Sequence, residues 1–320
     1  MTGRERSLGG VIEELRRALR PGGRTSHGLY AVEGVRLHER ALRSGTRVER
    51  AVAGEALRDD PSPRVRDLLA GLLASGCDLR FAPDEQVRTL AGDRADGAIA
   101  GLVELPRPGG LGELLDKITG SRAALVVAVD VEDPGNAGAL VRTALASGAA
   151  GLVAVGVTDP YHPRAVRTSR GSLFKLPIFR YEGADPVLRV LEEARVTMLG
   201  AVSTGGEVPF GPALQGPRAA LFFGSEAVGL PPALRERMDR LLTVPMAPGV
   251  DSYSVNAVAA ILLYEYRRRS WIGPDPGARA DRADGVATLQ HAGAEPEEQE
   301  GAGAGRAEGR PRRPRPGGGA

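Results

Sequence analysis

Apolar positions in the first hundred residues alternate between two periods. Helical spacing of apolar residues occurs in residues 8–20, 35–45, 62–76 and 84–92. Short runs with strand character lie at residues 29–34, 48–54, 78–83 and 98–105. Helices and strands that alternate at these lengths predict a small α/β domain, which we place at residues 1–105.

The same alternation resumes after a segment rich in proline and glycine. Residues 105–113 predict a linker, which we place at 106–119. The run AALVVAVDV, from Ala123, is apolar without a period of two, as expected for a strand that is covered on both faces. Further strands are predicted at 151–156, 176–181, 197–203, 220–225 and 241–246, and helices at 136–148, 185–195, 231–239 and 256–269. The pattern predicts a second α/β domain with a mostly parallel sheet over residues 120–272.

Residues 273–320 lack apolar periodicity, which predicts a disordered tail. Its basic end, RPRRPRP, either contacts nucleic acid or is simply solvated, and we expect a solvated tail.

The amino-acid composition limits the classes of protein to which the chain can belong. Hydrophobic residues make up 42% and aromatic residues only 4% of the 320 residues, so the core is expected to consist of Ala, Val and Leu. The single cysteine, Cys77, cannot form an internal disulfide, and the four scattered histidines have no metal-ligand spacing, so no metal site is predicted. The longest apolar stretch is too short to span a bilayer, which predicts a cytoplasmic protein without a membrane partner.

Positive charge comes almost entirely from arginine, although the net charge is only +2. Lys117 and Lys175 are the only lysines. Arginine suits the recognition of phosphates and stacked bases. A bias of composition towards Arg, Ala and Gly is the alternative explanation.

The stretch VDVEDPGNAGALVRTALASGA, residues 129–149, predicts a strand, a tight turn and a helix without the G-x-G-x-x-G pattern. The turn is predicted at residues 133–135, with Asn136 as the N-cap of the helix. Arg142 lies off the apolar stripe, and Gly138 precedes it by four residues on the same face. We expect this glycine to leave room for a ligand beside the guanidinium group. The alternative is an arginine on a solvated helix face.

Two later stretches carry polar residues next to strand ends. In LFFGSEAVGL, residues 221–230, Glu226 lies between Gly224 and Gly229, at the carboxyl end of a predicted parallel strand, where ligands of such sheets bind. The alternative is a glycine-rich turn with a solvated carboxylate. In the stretch that begins at Val244, small polar residues at every second position precede the last helix, where they act either as caps or as site residues: Ser252, Ser254 and Asn256.

The last helix is apolar on nearly all sides, so it needs cover on more than one side. A second copy of the chain is the simplest cover. We therefore predict a homodimer whose interface includes Val258 and Leu262.

The patterns N-x-G-x-x-x-R-T-A, G-S-E-x-x-G-L and V-P-M-x-x-G-x-x-S-x-S-V, in this order, resemble the three motifs of SpoU-type (TrmH-like) RNA 2′-O-ribose methyltransferases of the SPOUT class. The resemblance covers residues 120–269. The preceding YAVEGVRLHERALRSG resembles the small ribosomal-protein-like RNA-recognition domain that is often fused ahead of this catalytic domain. The resemblance implies a sheet with a C-terminal trefoil knot, the cofactor S-adenosylmethionine, and an RNA substrate, with ribosomal RNA favoured over transfer RNA.

Residue roles follow from the same resemblance. It assigns Arg142, Asn136 and Glu226 to catalysis, and it places Ser254 and Asn256 with Asn136 and Arg142 on the substrate side. It assigns cofactor binding to Ser203, Thr204, Gly224, Glu226, Gly229, Val244, Met246, Ser252 and Val255. The third motif departs from the usual S-L-N-V-S, because here the amide and the hydroxyl group have exchanged places, at Ser254 and Asn256.

The implied reaction is direct displacement of the methyl group by a ribose 2′-hydroxyl. Arg142 would stabilise charge on the oxygen and orient a phosphate, with the proton passing to phosphate or water; a role as a base is the alternative. Glu226 would hold the geometry, and Asn136 would position Arg142 or the ribose. Two other classes of function are the alternatives to this methyltransferase. A non-catalytic RNA-binding protein of the same fold is favoured by the altered third motif, and a nicotinamide-dependent oxidoreductase is disfavoured by the missing glycine pattern.

Overall fold

The computed structural model describes residues 7–20, 22–23, 28–91, 98–118, 123–210, 214 and 216–271. The tail predicted for residues 273–320, with its basic end, lies outside the described residues.

The first sheet has four strands in the order β1-β4-β2-β3. Strand β4 is antiparallel to β1 and β2, and β2 is parallel to β3. One face of this sheet packs against α1 and α5, and the other packs against α2 and α4. The elements are α1 (Leu8–Ala18), β1 (Leu29–Glu33), α2 (Val35–Arg43), β2 (Val48–Gly54), α3 (Glu55–Arg58), α4 (Pro63–Ala74), β3 (Asp78–Ala82), α5 (Asp84–Ala91) and β4 (Ile99–Glu104).

The second sheet has six strands, and every neighbouring pair is parallel, which confirms the predicted α/β class with a mostly parallel sheet. Its order is β10-β8-β9-β5-β6-β7. The strands are β5 (Ala123–Val129), β6 (Gly151–Val155), β7 (Ile178–Tyr181), β8 (Thr197–Ala201), β9 (Arg218–Phe223) and β10 (Arg240–Leu242). The central strand β5 is buried at every position except Ala123, because helices cover both of its faces.

Among the residues that the structure describes, six α-helices cover the second sheet. Alternate side chains of β5 divide between the faces: Ala124, Val126 and Ala128 contribute to one core cluster, and the residues between them contribute to the other. The first face carries α7 (Pro134–Ala146), α8 (Pro163–Thr168) and α11 (Val255–Trp271), and the second carries α6 (Leu111–Lys117), α9 (Asp185–Glu193) and α10 (Pro232–Arg235). None of the helices in the described ranges is long and apolar enough to cross a membrane.

Three element predictions need correction. The segment predicted as a linker at 106–119 contains α6, because Leu111 and Leu115 recur at helical spacing and are buried against the sheet. Helix α10 ends at Arg235 instead of residue 239, since Asp239 is held by the backbone of Met198. Strand β10 is three residues long, so the stretch from Thr243 onwards is a loop.

The two residues predicted to form the dimer interface face the core or the cleft of the protomer. Leu262 is completely buried, and Val258 is partly buried and lines the cleft described below. The inner face of α11, which includes Leu262, Leu263 and Tyr266, packs on the chain's own core. This side of the helix is therefore covered without a second copy of the chain. Ala260 and Tyr264 are exposed on the outer face.

Contacts between the two sheets centre on α8. The rings of Tyr30 and Tyr161 lie 5.1 Å apart between centroids. Arg167 of α8 donates to both carboxylate oxygens of Glu33 at 2.9 Å. Burial raises the pKa of Glu33, and Arg167 opposes this rise only in part. One continuous core cluster therefore includes residues from both sheets.

Candidate functional site

A cleft of about 430 Å³ lies at the carboxyl ends of β8 and β9. Ligands of open α/β sheets bind at this end of the strands, and the volume suits a small molecule. Residues that follow β8, β9 and β10 form most of the walls, and the start of α11 completes them.

The loop after β9 is held by its two glycines. A Cβ atom on Gly224 would lie 2.1 Å from the carbonyl carbon of Gly229, so a larger residue would collide with the backbone. Gly229 has a φ of +71°, which favours glycine. Its N–H donates to the carbonyl of Ser225 at 2.9 Å. This tight crossing presents Glu226 at the tip of the loop.

Glu226 connects the second motif to the first. The side-chain amide of Asn136 donates to Oε1 of Glu226 at 2.5 Å. Asp133, rather than the predicted Asn136, is the N-cap of α7, and its Oδ1 accepts from the backbone N–H of Asn136 at 2.8 Å. Because Asp133 performs the capping, the side chain of Asn136 is available to reach across to Glu226.

Arg142 is exposed on α7, off the apolar stripe, as the periodicity predicts. Within the described part of the chain no carboxylate forms an ion pair with it. The expectation for Gly138 is wrong: it is buried, and a Cβ atom there would lie 2.3 Å from the carbonyl oxygen of Ala165 on α8. Gly138 therefore permits close packing of two helices and does not make room for a ligand.

The start of α11 places the third motif. Ser252, Ser254 and Val255 line the cleft, and Ser254 Oγ also accepts from the N–H of Ala257 at 3.3 Å. Asn256 does not line it, because its Oδ1 accepts from Thr143 Oγ1 at 2.7 Å on α7. A serine, not the amide, thus faces the cleft in this motif.

Most of the predicted site residues come together. The predicted residues that line the cleft are Ser203, Gly224, Glu226, Gly229, Val244, Met246, Ser252, Ser254 and Val255. Thr204 is exposed in the turn after β8 and lies outside the lining. Asn136 reaches the site through Glu226, while Arg142 and Asn256 lie on neighbouring helix surfaces.

Two charged residues of the cleft were missed by sequence reasoning. Arg235, at the end of α10, and Asp251, before α11, both line the cleft and are exposed. Neither has an ion pair among the residues that the structure describes. In the sequence Arg235 is one of several charges in a short amphipathic stretch, so no local signal separates it from a solvated residue.

Groups of three or more His, Cys, Asp or Glu residues that could hold a metal ion are absent from the described ranges.

The chain is similar to known methyltransferases in sequence. Residues 123–264 match the model of the SpoU rRNA Methylase family. A 23S rRNA (guanosine-2′-O-)-methyltransferase RlmB from Ralstonia nicotianae is 30% identical over 212 residues, which are 66% of this chain and 85% of that protein. The RlmB protein of Yersinia pestis is 29% identical over 105 residues, which are 33% of this chain and 42% of that protein, less than half of its length.

Solved structures show the same architecture. The SpoU methyltransferase AviRb from Streptomyces viridochromogenes, in complex with the cofactor AdoMet, superposes with a TM-score of 0.72 at 26% identity, over 84% of this chain and 100% of that chain. An AdoMet-bound rRNA methyltransferase from Sinorhizobium meliloti has a TM-score of 0.71 at 26% identity, over 82% and 96% of the two chains.

Proposed function

The chain belongs to the SpoU family of RNA methyltransferases, and on this basis we propose that it methylates a ribose 2′-hydroxyl of ribosomal RNA with S-adenosylmethionine as the methyl donor. The observation that carries the proposal is the cleft at the ends of β8 and β9, whose Glu226 is hydrogen-bonded to Asn136 of the first motif. Residues from all three motifs thus meet at one edge of the sheet.

The cleft fits the cofactor in shape and in charge. Its volume of about 430 Å³ and its apolar walls, with Val244 and Val255, suit an adenosine. When bound, S-adenosylmethionine supplies a methyl group on a positively charged sulfur. The acidic residues Glu226 and Asp251 complement this charge and the ammonium group, and Arg235 complements the carboxylate of the methionine part.

The chain's own residues orient the RNA. Asn136 and Glu226 form a polar pair that positions the ribose beside the cleft. Arg142 lies six residues further along α7, about 9 Å in helix rise, within reach of a phosphate next to the target ribose. Because arginine stays protonated, it stabilises negative charge on the ribose oxygen, and the proton passes to phosphate or water.

We infer that the chain between β8 and α11 forms the trefoil knot of this family. The N–H of Gly206 donates to Thr243 Oγ1 at 2.9 Å, and the N–H of Thr243 donates to the carbonyl of Glu207 at 2.9 Å. The segment after β10 is therefore tied to the β8–β9 connection before it continues to α11. These contacts support a threaded path.

Residues 1–105 are proposed to select the RNA, residues 106–119 to connect them to the methyltransferase domain at 120–272, and residues 273–320 to form a tail. We expect the protein to act in the cytoplasm, where ribosomal RNA is available.

We also propose a homodimer, now through the outer face of α11. Tyr264 is 54% exposed there beside Ala260, although Leu262, Leu263 and Tyr266 of the same helix pack on the core. Light scattering is expected to give twice the mass of the chain, and Tyr264→Glu is expected to give a monomer. A monomeric wild-type protein at micromolar concentration would remove this proposal.

Transfer of labelled methyl groups from S-adenosylmethionine to total RNA, followed by nucleoside mapping, tests the proposed activity. We expect a 2′-O-methylated nucleoside in ribosomal RNA. The second candidate is a non-catalytic RNA-binding protein, which the position of Asn256 against Thr143 favours. Binding of S-adenosylmethionine and RNA without any transfer would support this second candidate.

A further inference from the structure

A second cavity, of about 340 Å³, lies at the opposite edge of the larger sheet, between β7 and the segment that leads out of β4. Its walls combine rings and one cation: Pro106, Pro108, Tyr161, Phe179, Arg180 and Tyr181. None of the residues that line it is acidic. The cleft described above does not share a single residue with this cavity.

Backbone groups of β7 face this cavity. The carbonyl of Pro177, just before β7, accepts from the N–H of Leu152 in β6 at 2.9 Å, and the carbonyl of Tyr181 accepts from the N–H of Gly156, just after β6, at 2.9 Å. Because backbone groups alternate in direction along a strand, the N–H and C=O groups of Arg180 point away from β6, towards the open edge. By the same alternation the backbone groups of Ile178 also point there, so the edge presents backbone donors and acceptors beside aromatic rings.

Two arginines supply positive charge at this edge. Arg180 is exposed on β7, and Arg107 is exposed between the two prolines of the cavity wall. Ion pairs to either guanidinium group are absent from the described ranges. Tyr161 and Phe179 are buried, so the half-buried ring of Tyr181 is the surface on which a base can stack. This ring, the two arginines and the open backbone edge together match an unpaired nucleotide: the base stacks on Tyr181 and bonds to the backbone, and the phosphate pairs with arginine.

We propose that this cavity, which we call the β7 site, binds an unpaired nucleotide of the RNA substrate while another nucleotide of the same RNA is methylated in the cleft. The inference rests on the proposed function. Strand β7 is three strands from β9, or about 14 Å at the usual strand spacing, so one RNA strand can reach both places. A base in a duplex would not fit, because its hydrogen-bonding edge is already occupied by its partner.

Fluorescence anisotropy with a labelled single-stranded RNA of mixed sequence, about twelve nucleotides long, tests the β7 site, with the corresponding duplex as the comparison. We expect Tyr181→Ala and Arg180→Gln each to raise the Kd for the single strand about tenfold, and to change the Kd for the duplex less than twofold. Tyr181→Phe is expected to stay within twofold of the wild type, because the ring is retained.

Arg189→Gln is the matched control, since Arg189 is also an exposed arginine, on α9, and does not line the cavity. The Kd for S-adenosylhomocysteine and the thermal unfolding midpoint are measured for every variant, and both are expected to remain unchanged. If Tyr181→Ala and Arg180→Gln bind the single strand as Arg189→Gln does, the β7 site is overturned. A wild-type protein that binds S-adenosylhomocysteine but not the single strand also overturns it, whereas failure to bind S-adenosylhomocysteine contradicts the proposed function instead.

Discussion

Single residues of the site are joined by contacts across long sequence distances. Asn136 and Glu226 lie 90 positions apart, yet one hydrogen bond connects them. Asn256 and Thr143 are joined in the same way across 113 positions. Arg142 and Arg235, in contrast, are exposed and have no ion pair within the described ranges. The first pair therefore forms part of the site, the second ties α11 to α7 beside it, and the two arginines are available to ligands.

Arg142→Ala is expected to reduce the rate of methyl transfer about a hundredfold, because the stabilisation of charge on the ribose oxygen is lost. Stability should change by no more than about 0.5 kcal/mol, since the side chain is exposed. Single-turnover transfer with saturating cofactor and RNA is the measurement. Arg142→Lys should restore only part of the rate, because an ammonium group lacks the planar donor pair. A rate within threefold of the wild type would show that Arg142 is only a solvated residue on the surface of the helix.

Arg235→Ala is expected to weaken binding of S-adenosylhomocysteine about tenfold while leaving 5′-methylthioadenosine unaffected, because only the first ligand carries a carboxylate. Isothermal calorimetry measures both affinities. Arg237→Ala is the control, since Arg237 is paired with Glu192 and does not line the cleft. Equal losses for both ligands would show that Arg235 does not contact the carboxylate.

At the scale of elements, α7 organises the site. Its N-cap, Asp133, also accepts from Arg164 of α8 at 2.8 Å, so the two helices are tied at their first turns. Gly138 lets them approach further along. The position of Asn136 beside the cleft thus depends on the packing of α7 against α8.

Gly138→Ala is expected to destabilise the protein by about 1–3 kcal/mol, because the added methyl group would collide with the backbone of Ala165. Gly112→Ala is the control: Gly112 lies in α6 with no atom near the added Cβ, so there the substitution should stabilise by about 0.5–1 kcal/mol. Urea unfolding measures both values. If both variants were stabilised, close α7–α8 packing would not be the reason for the glycine.

At the scale of the whole molecule, both sheets contribute residues to one core cluster. The smaller domain also buries a titratable group, His38 of α2. His38 is fully buried, its Nδ1 bonds to the carbonyl of Gly34 at 2.8 Å, and its Nε2 is without a hydrogen-bond partner. Burial lowers the pKa of His38 to about 4. The histidine is therefore neutral in the folded protein at neutral pH.

Stability is expected to fall as the pH drops from about 6.5 to about 4, because in this range the unfolded chain binds a proton at His38 that the folded protein does not. The contribution of this residue is on the order of 3 kcal/mol, from the pKa difference. Urea unfolding of the wild type and of His38→Asn at several pH values isolates it, since other groups titrate equally in both. Parallel pH profiles for the two proteins would contradict the assignment.

Local sequence patterns were sufficient to predict the α/β fold class and the family of the protein. The strand β5 is apolar on both faces because helices cover both, and this was readable from AALVVAVDV alone. The three motifs lie at strand ends, and carboxyl ends of parallel strands share one edge, so their residues were expected to meet. The family match confirms the resemblance.

Tertiary packing determined the contacts that local sequence patterns could not predict. Periodicity describes one helix at a time, so it could not show that Gly138 faces Ala165, that Leu262 is covered by the protomer, or that Arg235 borders the cleft. By sequence spacing, Asn256 was expected to line the site as Ser254 does. The structure instead directs its side-chain amide to α7, where its oxygen accepts a hydrogen bond from the hydroxyl group of Thr143. Such choices depend on groups far apart in sequence that only the folded chain brings within hydrogen-bonding or van der Waals distance.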